Sequence, residues 1–352
     1  MNARLRVPLL VALLIACSPA LAQPSPQLQE IKISSQPALY SSLPFYIATV
    51  KGWWAEAGLK VTFIDFPAGA PQIAAAKSWD VGYTGAVPAV LGALRNDLQT
   101  IAIADDQSET TAMVVRGARL PATANPAQWL RDSTVRLTNN STVDLVTRAC
   151  MRKHGLGPKD LVLKGASQPE ILKEMAGSTA DVGALWAPNL YVAEESFGAR
   201  VICSGKDAGV PVPGVLVARA EWARRNPQLV AKFLAVFLRA QHWALVNRKE
   251  ALVMMKTYYE AGGVHISEAS MKKEFDLRPT FGLSRQLELF SQAGGAFSNA
   301  DLWMLSIWYF LRTVDVVKKE EAMVDPKAYV TDAYLRLVDR DPALKTLAEK
   351  TN

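Results

Sequence analysis

Apolar and polar positions alternate with two different periods along this chain. Short apolar runs bounded by turn residues predict strands over 31–33, 60–66, 101–103, 113–115, 135–137, 161–164, 199–203 and 215–217. Between them apolar residues recur at helical spacing. Phe45, Ile47, Ala48, Val50 and Trp54 predict one helix that follows a Ser41-Ser42 cap, carries Pro44 in its first turn and stops at Gly58. Asn139-Asn140-Ser141-Thr142 opens another, running to about His154. From Asn226-Pro227 onward the pattern is almost wholly helical, with Val230, Phe233, Phe237 and Trp243 on one face. Helices follow over 247–261, 267–274, 284–293, 299–313 and 328–337, and this last third is expected to wrap the first lobe.

One unit occurs twice. Pro71-Gln72-Ile73, a helical run and Asp80-Val81-Gly82-Tyr83-Thr84-Gly85 are echoed by Pro169-Glu170-Ile171, another helical run and Asp181-Val182-Gly183-Ala184-Leu185-Trp186. Each copy follows a helix end and a strand, Ala57-Gly58-Leu59 in the first case and His154-Gly155-Leu156 in the second. A repeated supersecondary unit predicts two similar α/β lobes. Ligands of open α/β sheets bind just past strand ends, so Tyr83-Thr84-Gly85 and Trp186-Ala187-Pro188 are expected to face one cleft.

Length and composition fit this layout. A chain of 352 residues, half of them apolar, can bury two cores. The formal charge of +6 is modest and the basic residues are scattered, which does not point to nucleic acid. Arg4 and Arg6 precede an apolar core over 7–16, and Ala20-Leu21-Ala22 fits a signal-peptidase site, so 1–22 reads as a cleaved secretory signal. Leu14-Ile15-Ala16-Cys17 loosely resembles a lipidation site and is the less favoured alternative. The run over 229–246 carries Lys232, Arg239, Gln241 and His242 and reads as a core helix, not a membrane span. Past the signal only Cys150 and Cys203 remain. Export permits a disulfide, but both lie in apolar surroundings, and two buried free thiols are expected.

Catalytic patterns are lacking. His154, His242 and His265 sit in ordinary settings, and no serine elbow, phosphate loop, dinucleotide fingerprint or zinc-ligand spacing occurs. Asp105-Asp106 is an adjacent acid pair that reads as loop charge or binding group. No catalytic residue, metal ligand or cofactor is therefore expected. Binding is better supported. Helix starts present free N–H groups and a favourable dipole to anions, and 139–142, Ser41-Ser42 and Thr84-Gly85 share that strand-to-helix location. Trp186 could add a flat wall.

With these pieces in order, the chain resembles the periplasmic substrate-binding proteins of ABC importers, in the taurine, aliphatic-sulfonate and nitrate group with its thiamine-precursor relatives. The matching segments are Pro44-Phe45-Tyr46-Ile47-Ala48, Lys51-Gly52-Trp53-Trp54, Ala57 to Val61, Asp80 to Gly85, His154-Gly155-Leu156, Trp186-Ala187-Pro188 and Asn226-Pro227-Gln228-Leu229-Val230. The resemblance implies an α/β type II periplasmic binding protein fold, with two lobes, a hinge and a helical C-terminal region on lobe one. Expected boundaries are 28–115 for lobe one, 116–215 for lobe two, and 216–352 for the return strand and helices.

It further implies a ligand cleft lined by Ser41, Ser42, Thr84, Gly85, Asn139, Ser141, Thr142 and Trp186, with Tyr40, Tyr83, Asn140 and Asn189 beside them. Taurine-type members use an acid for the ligand amine, and Asp106 and Glu109 lie near that place, with Thr110-Thr111 displacing the usual spacing. The implied partners are a small organic anion and the transmembrane permease subunits, with the protein a periplasmic monomer. Two other readings share the fold: an enzyme like the thiamine-pyrimidine synthases, whose cysteine cluster is absent here, and a solute sensor.

Overall fold

The computed structural model describes residues 27–117 and 125–351. The expected signal, the alternative site at Cys17 and most of the turn-rich stretch after Gly117 lie outside the described residues. Lobe one holds β1 (Gln29–Ser35), β2 (Leu59–Asp65), β3 (Val81–Gly85) and β4 (Leu98–Asp106). Lobe two holds β5 (Thr111–Arg116), β6 (Thr134–Leu137), β7 (Val162–Gly165), β8 (Val182–Trp186) and β9 (Ala199–Ser204). The chain then returns to lobe one as β10 (Pro213–Arg219). The sheet orders are β2-β1-β3-β10-β4 and β7-β6-β8-β5-β9.

The two sheets share one plan. In lobe one β1 lies parallel to β2 and β3, and β10 runs antiparallel to β3 and β4. In lobe two β6 lies parallel to β7 and β8, and β5 runs antiparallel to β8 and β9. A buried glutamine repeats the likeness at the level of single bonds. Gln72 Nε2 donates to the Tyr83 carbonyl at 2.7 Å, and Gln168 Nε2 to the Ala184 carbonyl at 3.1 Å, each the third residue of its strand. Both side chains satisfy backbone that would otherwise be buried without a partner.

Three expectations are corrected. The run over 113–115, placed in lobe one with the crossing near 116, belongs to lobe two, since β5 pairs with β8 and β9. The crossings fall at residues 107–110 and 205–212. An apolar strand buried on both faces does not reveal which sheet it joins, whereas hydrogen bonding does. The first helix also breaks at Gly52, whose φ of +73° is open to glycine without strain, giving helices Leu43–Val50 and Trp53–Glu56. Finally, Cys150 and Cys203 form a disulfide with a Cα–Cα distance of 5.9 Å. The helix Thr142–Lys153 packs across β5 and β9 and so brings its cysteine to the end of β9, a proximity that apolar surroundings neither show nor oppose.

The C-terminal helices belong to lobe one. Pro227–Val246 lies in its core, where Phe233 stacks on Trp54 at 6.1 Å and Phe237 meets Phe45 at 5.4 Å. Its one buried cation, Arg239, stands 4.0 Å from the Trp53 ring centroid and pairs with Glu56 at 2.7 Å.

The disulfide closes a 53-residue interval inside lobe two. Reducing it, or replacing both cysteines by serine, should lower the stability of that lobe by roughly 2–4 kcal/mol. Urea unfolding followed by a lobe-two tryptophan reports this as a lower midpoint, and an unchanged midpoint would contradict it.

Candidate functional site

Each lobe directs one helix start at the space between the sheets. In lobe one β3 ends at Gly85, the cap of helix Ala86–Arg95. In lobe two a turn after β6, with Asn140 at φ +54°, leads to Ser141, the cap of helix Thr142–Lys153. Neither cap residue uses its side chain on its own helix, since glycine has none and the Ser141 hydroxyl donates to the Thr138 carbonyl at 2.6 Å. The first N–H groups of both helices are thus left for another acceptor. The starts meet closely, because a Cβ on Gly85 would collide with Thr142 Oγ1.

Around them lies a small interlobe cavity of about 50 Å³, lined by Gln36, Leu39, Gly69, Tyr83, Gly85, Pro88, Gln107, Thr111, Ser141, Thr142 and Trp186. It contains no charged side chain. The buried Thr111 hydroxyl has no hydrogen-bond partner among the described residues and is an unspent donor at the wall.

Of the residues expected from the sequence, Tyr83, Gly85, Ser141, Thr142 and Trp186 come together here. The others do not line the cavity. Tyr40 packs edge-on against Phe275, and Ser41 and Ser42 are buried beneath the floor. Thr84 is buried beside the lining residue Gly69, where an added Cβ would approach its hydroxyl to 3.1 Å. Asn139 and Asn140 stand exposed on the turn, Asn139 lying over Gly165, and Asn189 begins a lobe-two helix away from the cavity. Asp106 and Glu109, expected near the place of a ligand amine, also lie outside the lining. The Asp106 carboxylate accepts the Ser108 N–H at 2.9 Å, and Glu109 pairs with Lys206 at 2.7 Å across the crossings. Both satisfy the hinge.

Gln36, Leu39, Gly69, Pro88, Gln107 and Thr111 were missed. Gln107 and Thr111 sit in and just past the first crossing, which a boundary at 116 hides inside lobe one. Two roomier grooves lie elsewhere. One, near 600 Å³, borders the paired Arg136 and Glu174; the other, near 840 Å³, lies between two C-terminal helices and borders the Arg248–Asp276 pair. Both are surface grooves of mixed charge away from the cleft.

Beneath the cavity sits a charged cluster. Arg278 lies 3.1 Å from Glu274 and 3.7 Å from Asp105, and all three are buried. Burial pushes the carboxyls of Asp105 and Glu274 up, against the pull of the guanidinium. Burial opposes the charge on Arg278, but its two acid neighbours outweigh that and hold it protonated. Tyr83 is pushed up by burial first and by Asp105 second, so its phenol keeps its proton.

A second contact between the lobes lies outside the cavity. Glu195, on the lobe-two helix Asn189–Phe197, accepts the Ser267 N–H at 3.1 Å, the Ser267 hydroxyl at 2.6 Å and the Ser270 hydroxyl at 2.5 Å. These donors open the lobe-one helix Glu268–Leu277. Beside them Lys273 pairs with Glu194 at 2.8 Å and stands 5.2 Å from the Tyr191 ring centroid. Opening the lobes must break this latch.

A family model described as NMT1/THI5 like matches residues 40–251, more than half of the chain. A Bacillus subtilis (strain 168) chain provisionally named an aliphatic sulfonates-binding protein is 26% identical over 232 residues, covering 64% of this chain and 68% of its own. Among solved structures, the periplasmic aliphatic sulphonate binding protein of Escherichia coli superposes with a TM-score of 0.70 at 18% identity, covering 88% of this chain and 99% of that one. The periplasmic nitrate-binding protein of Synechocystis PCC 6803 gives 0.66 at 14% identity, covering 89% of each. These likenesses establish the two-lobed periplasmic-binding-protein fold. The relatives named here are binding proteins, not enzymes.

Glu195→Ala should shift the protein toward the open form. Ligand-free X-ray scattering should then show a larger radius of gyration than wild type. Burial works to raise the Glu195 carboxyl, but the Ser267 and Ser270 bonds outweigh it and hold it below the usual carboxylate range. A depressed carboxyl contributes above its unfolded value, and the contribution is lost as pH falls through the folded one. The same expansion should therefore appear in wild type on acidification through and below the usual carboxylate range. Equal scattering curves for variant and wild type at neutral pH would remove the latch.

Proposed function

The chain belongs to the NMT1/THI5-like family, and from that membership we propose that it captures a small organic anion between its lobes and delivers it to an ABC permease. One observation carries the proposal. Helix starts from both lobes, neither capped by its own side chain, converge on a cavity lined only by uncharged groups. Partial positive charge from two helix dipoles, with hydroxyl donors from Tyr83, Thr111 and Thr142, stabilises an anionic head without a trapped counter-ion. Leu39, Pro88 and Trp186 suit a short alkyl or aryl tail.

The head would be a sulfonate or related carboxylate, in keeping with the names of the relatives. A ligand ammonium group finds no carboxylate among the lining residues, since Asp106 and Glu109 serve the hinge. A plain anion is therefore preferred over a taurine-like zwitterion. A cavity of about 50 Å³ accommodates little more than a head group, so a ligand must enter an open form and shift the population toward closure. The place of work is the periplasm, as a monomer that presents its closed form to the permease.

A thermal-shift screen across alkyl and aryl sulfonates, carboxylates, nitrate and their amino analogues tests this. Occupancy at about a hundred times Kd adds roughly 2.7 kcal/mol, a readable shift. The expected result is a response to plain sulfonates that exceeds the response to their amino counterparts and falls away in Trp186→Ala. A preference for amino forms would overturn the uncharged-cleft reading, and silence toward every anion would overturn the ligand class.

A further inference from the structure

We infer that Asp105 and Gln107 act on the ligand through Tyr83: they hold its phenol as a proton donor to the cleft, so that this point selects a hydrogen-bond acceptor such as an anion oxygen. The inference rests on the cleft being the ligand site.

The direction of each proton is fixed from one end of a chain of bonds. Arg278 can only donate, and its Nη1 gives a hydrogen bond to Ser41 Oγ at 3.0 Å. The Ser41 hydroxyl in turn donates a hydrogen bond to Asp105 Oδ2 at 2.5 Å. Arg278 Nη1 also stands 3.7 Å from Oδ2, so the Ser41 donor and the guanidinium both face that oxygen, and on the ionised carboxylate Oδ1 is an acceptor. Gln107 Nε2 faces Oδ1 at 3.2 Å and also meets the Tyr83 phenol oxygen. Turning the amide over would set its oxygen against Oδ1, acceptor against acceptor, so the nitrogen stays on this side. Both amide protons are then committed, one to Asp105 and one to Tyr83.

Tyr83 therefore accepts a hydrogen bond at its oxygen and retains its own proton to donate. Burial and the neighbouring Asp105 keep that proton on the phenol. Within the protein that proton faces Asp105 Oδ1 at 3.5 Å, well beyond the usual distance of about 2.7–2.8 Å for such a bond, with the Ser41 hydroxyl beside the phenol as well. An anion oxygen in the cleft that Tyr83 and Gln107 line can take it at normal length. Gly214 on β10 is part of the arrangement. A Cβ there would collide with Asp105 Oδ1, the Tyr83 phenol and Gln107 Nε2 alike, so only glycine lets the three meet. Asp105 is fully buried and does not line the cavity, which makes it a positioning residue.

Two readouts test this. The first needs no ligand. The Raman Fermi doublet of tyrosine separates a phenol that accepts a hydrogen bond from one that only donates. The difference spectrum of wild type minus Tyr83→Phe should show the acceptor pattern, and it should change to the donor pattern when both proteins carry Gln107→Met. A donor pattern already present in wild type overturns the inference.

The second is a double-variant cycle with ethanesulfonate, read by calorimetry. Tyr83→Phe should weaken binding about tenfold, the scale of one hydrogen bond to a charged group. Gln107→Met should weaken it several-fold with tyrosine present and not at all with phenylalanine at position 83. A full effect of Gln107→Met in the Tyr83→Phe background would mean that Gln107 acts on the ligand directly, and would overturn the inference. If wild type fails to bind ethanesulfonate, the anion reading suffers, while the Raman result still decides the direction of the phenol.

Discussion

The floor of the cleft depends on one buried guanidinium. Arg278 joins three segments far apart in sequence: the loop after β1 through Ser41, the end of β4 through Asp105, and its own C-terminal helix through Glu274. Taking such charges out of water costs several kcal/mol for each ion, and the cost is met only when geometry and further bonds are good. The cluster therefore fixes position more than it adds stability. It explains why the C-terminal helices belong to lobe one and are not an appendage. Two acids face one cation, and burial raises both carboxyls.

Much of this was legible in the sequence, for physical reasons that differ from piece to piece. The doubled strand with its Asp-Val-Gly entry predicted two lobes, because each copy must bury one hydrophobic unit against a neighbour. The structure extends the likeness to strand order and to Gln72 and Gln168, which straddle the prolines differently and so hide their equivalence in the sequence. The lobe boundary was not legible. β5 is buried along nearly its whole length, and a continuous apolar run fits either sheet equally. The error carried Gln107 and Thr111 with it, since their value lies in being at the crossing. The disulfide was hidden for a related reason, as only the packing of the Thr142–Lys153 helix brings residues 150 and 203 together.

Closure draws on two separate surfaces. The inner one is small and uncharged, built from helix starts and hydroxyls. The outer one is the latch of Glu194 and Glu195 on Ser267, Ser270 and Lys273. The helix Glu268–Leu277 belongs to both, because the latch holds its first turn while Glu274 and Arg278 reach beneath the cavity from its last. A rigid helix of this length couples the two ends without any change of its own shape. Exposed ion pairs contribute little each, so the latch biases the open–closed equilibrium modestly and leaves the ligand room to decide it.

That balance bears on what kind of molecule this is. A carrier must hold its cargo firmly enough to close and loosely enough to release. A lysine or arginine in the cleft would bind an anion strongly, but on release it would remain as an uncompensated charge within a closing, low-dielectric space. Helix starts and hydroxyls carry no such penalty, since they return to water or to weak internal partners when the cargo leaves. The 3.5 Å approach of the Tyr83 phenol to Asp105 is one such weak partner, able to take back a proton donor between cargoes at small cost. An enzyme on the same frame would instead need groups whose proton or electron state changes during reaction, placed against the ligand. Here the buried charged groups Asp105, Glu274 and Arg278 lie one layer below the cleft, and their effect on the cargo passes through fixed dipoles. The arrangement suits capture and release.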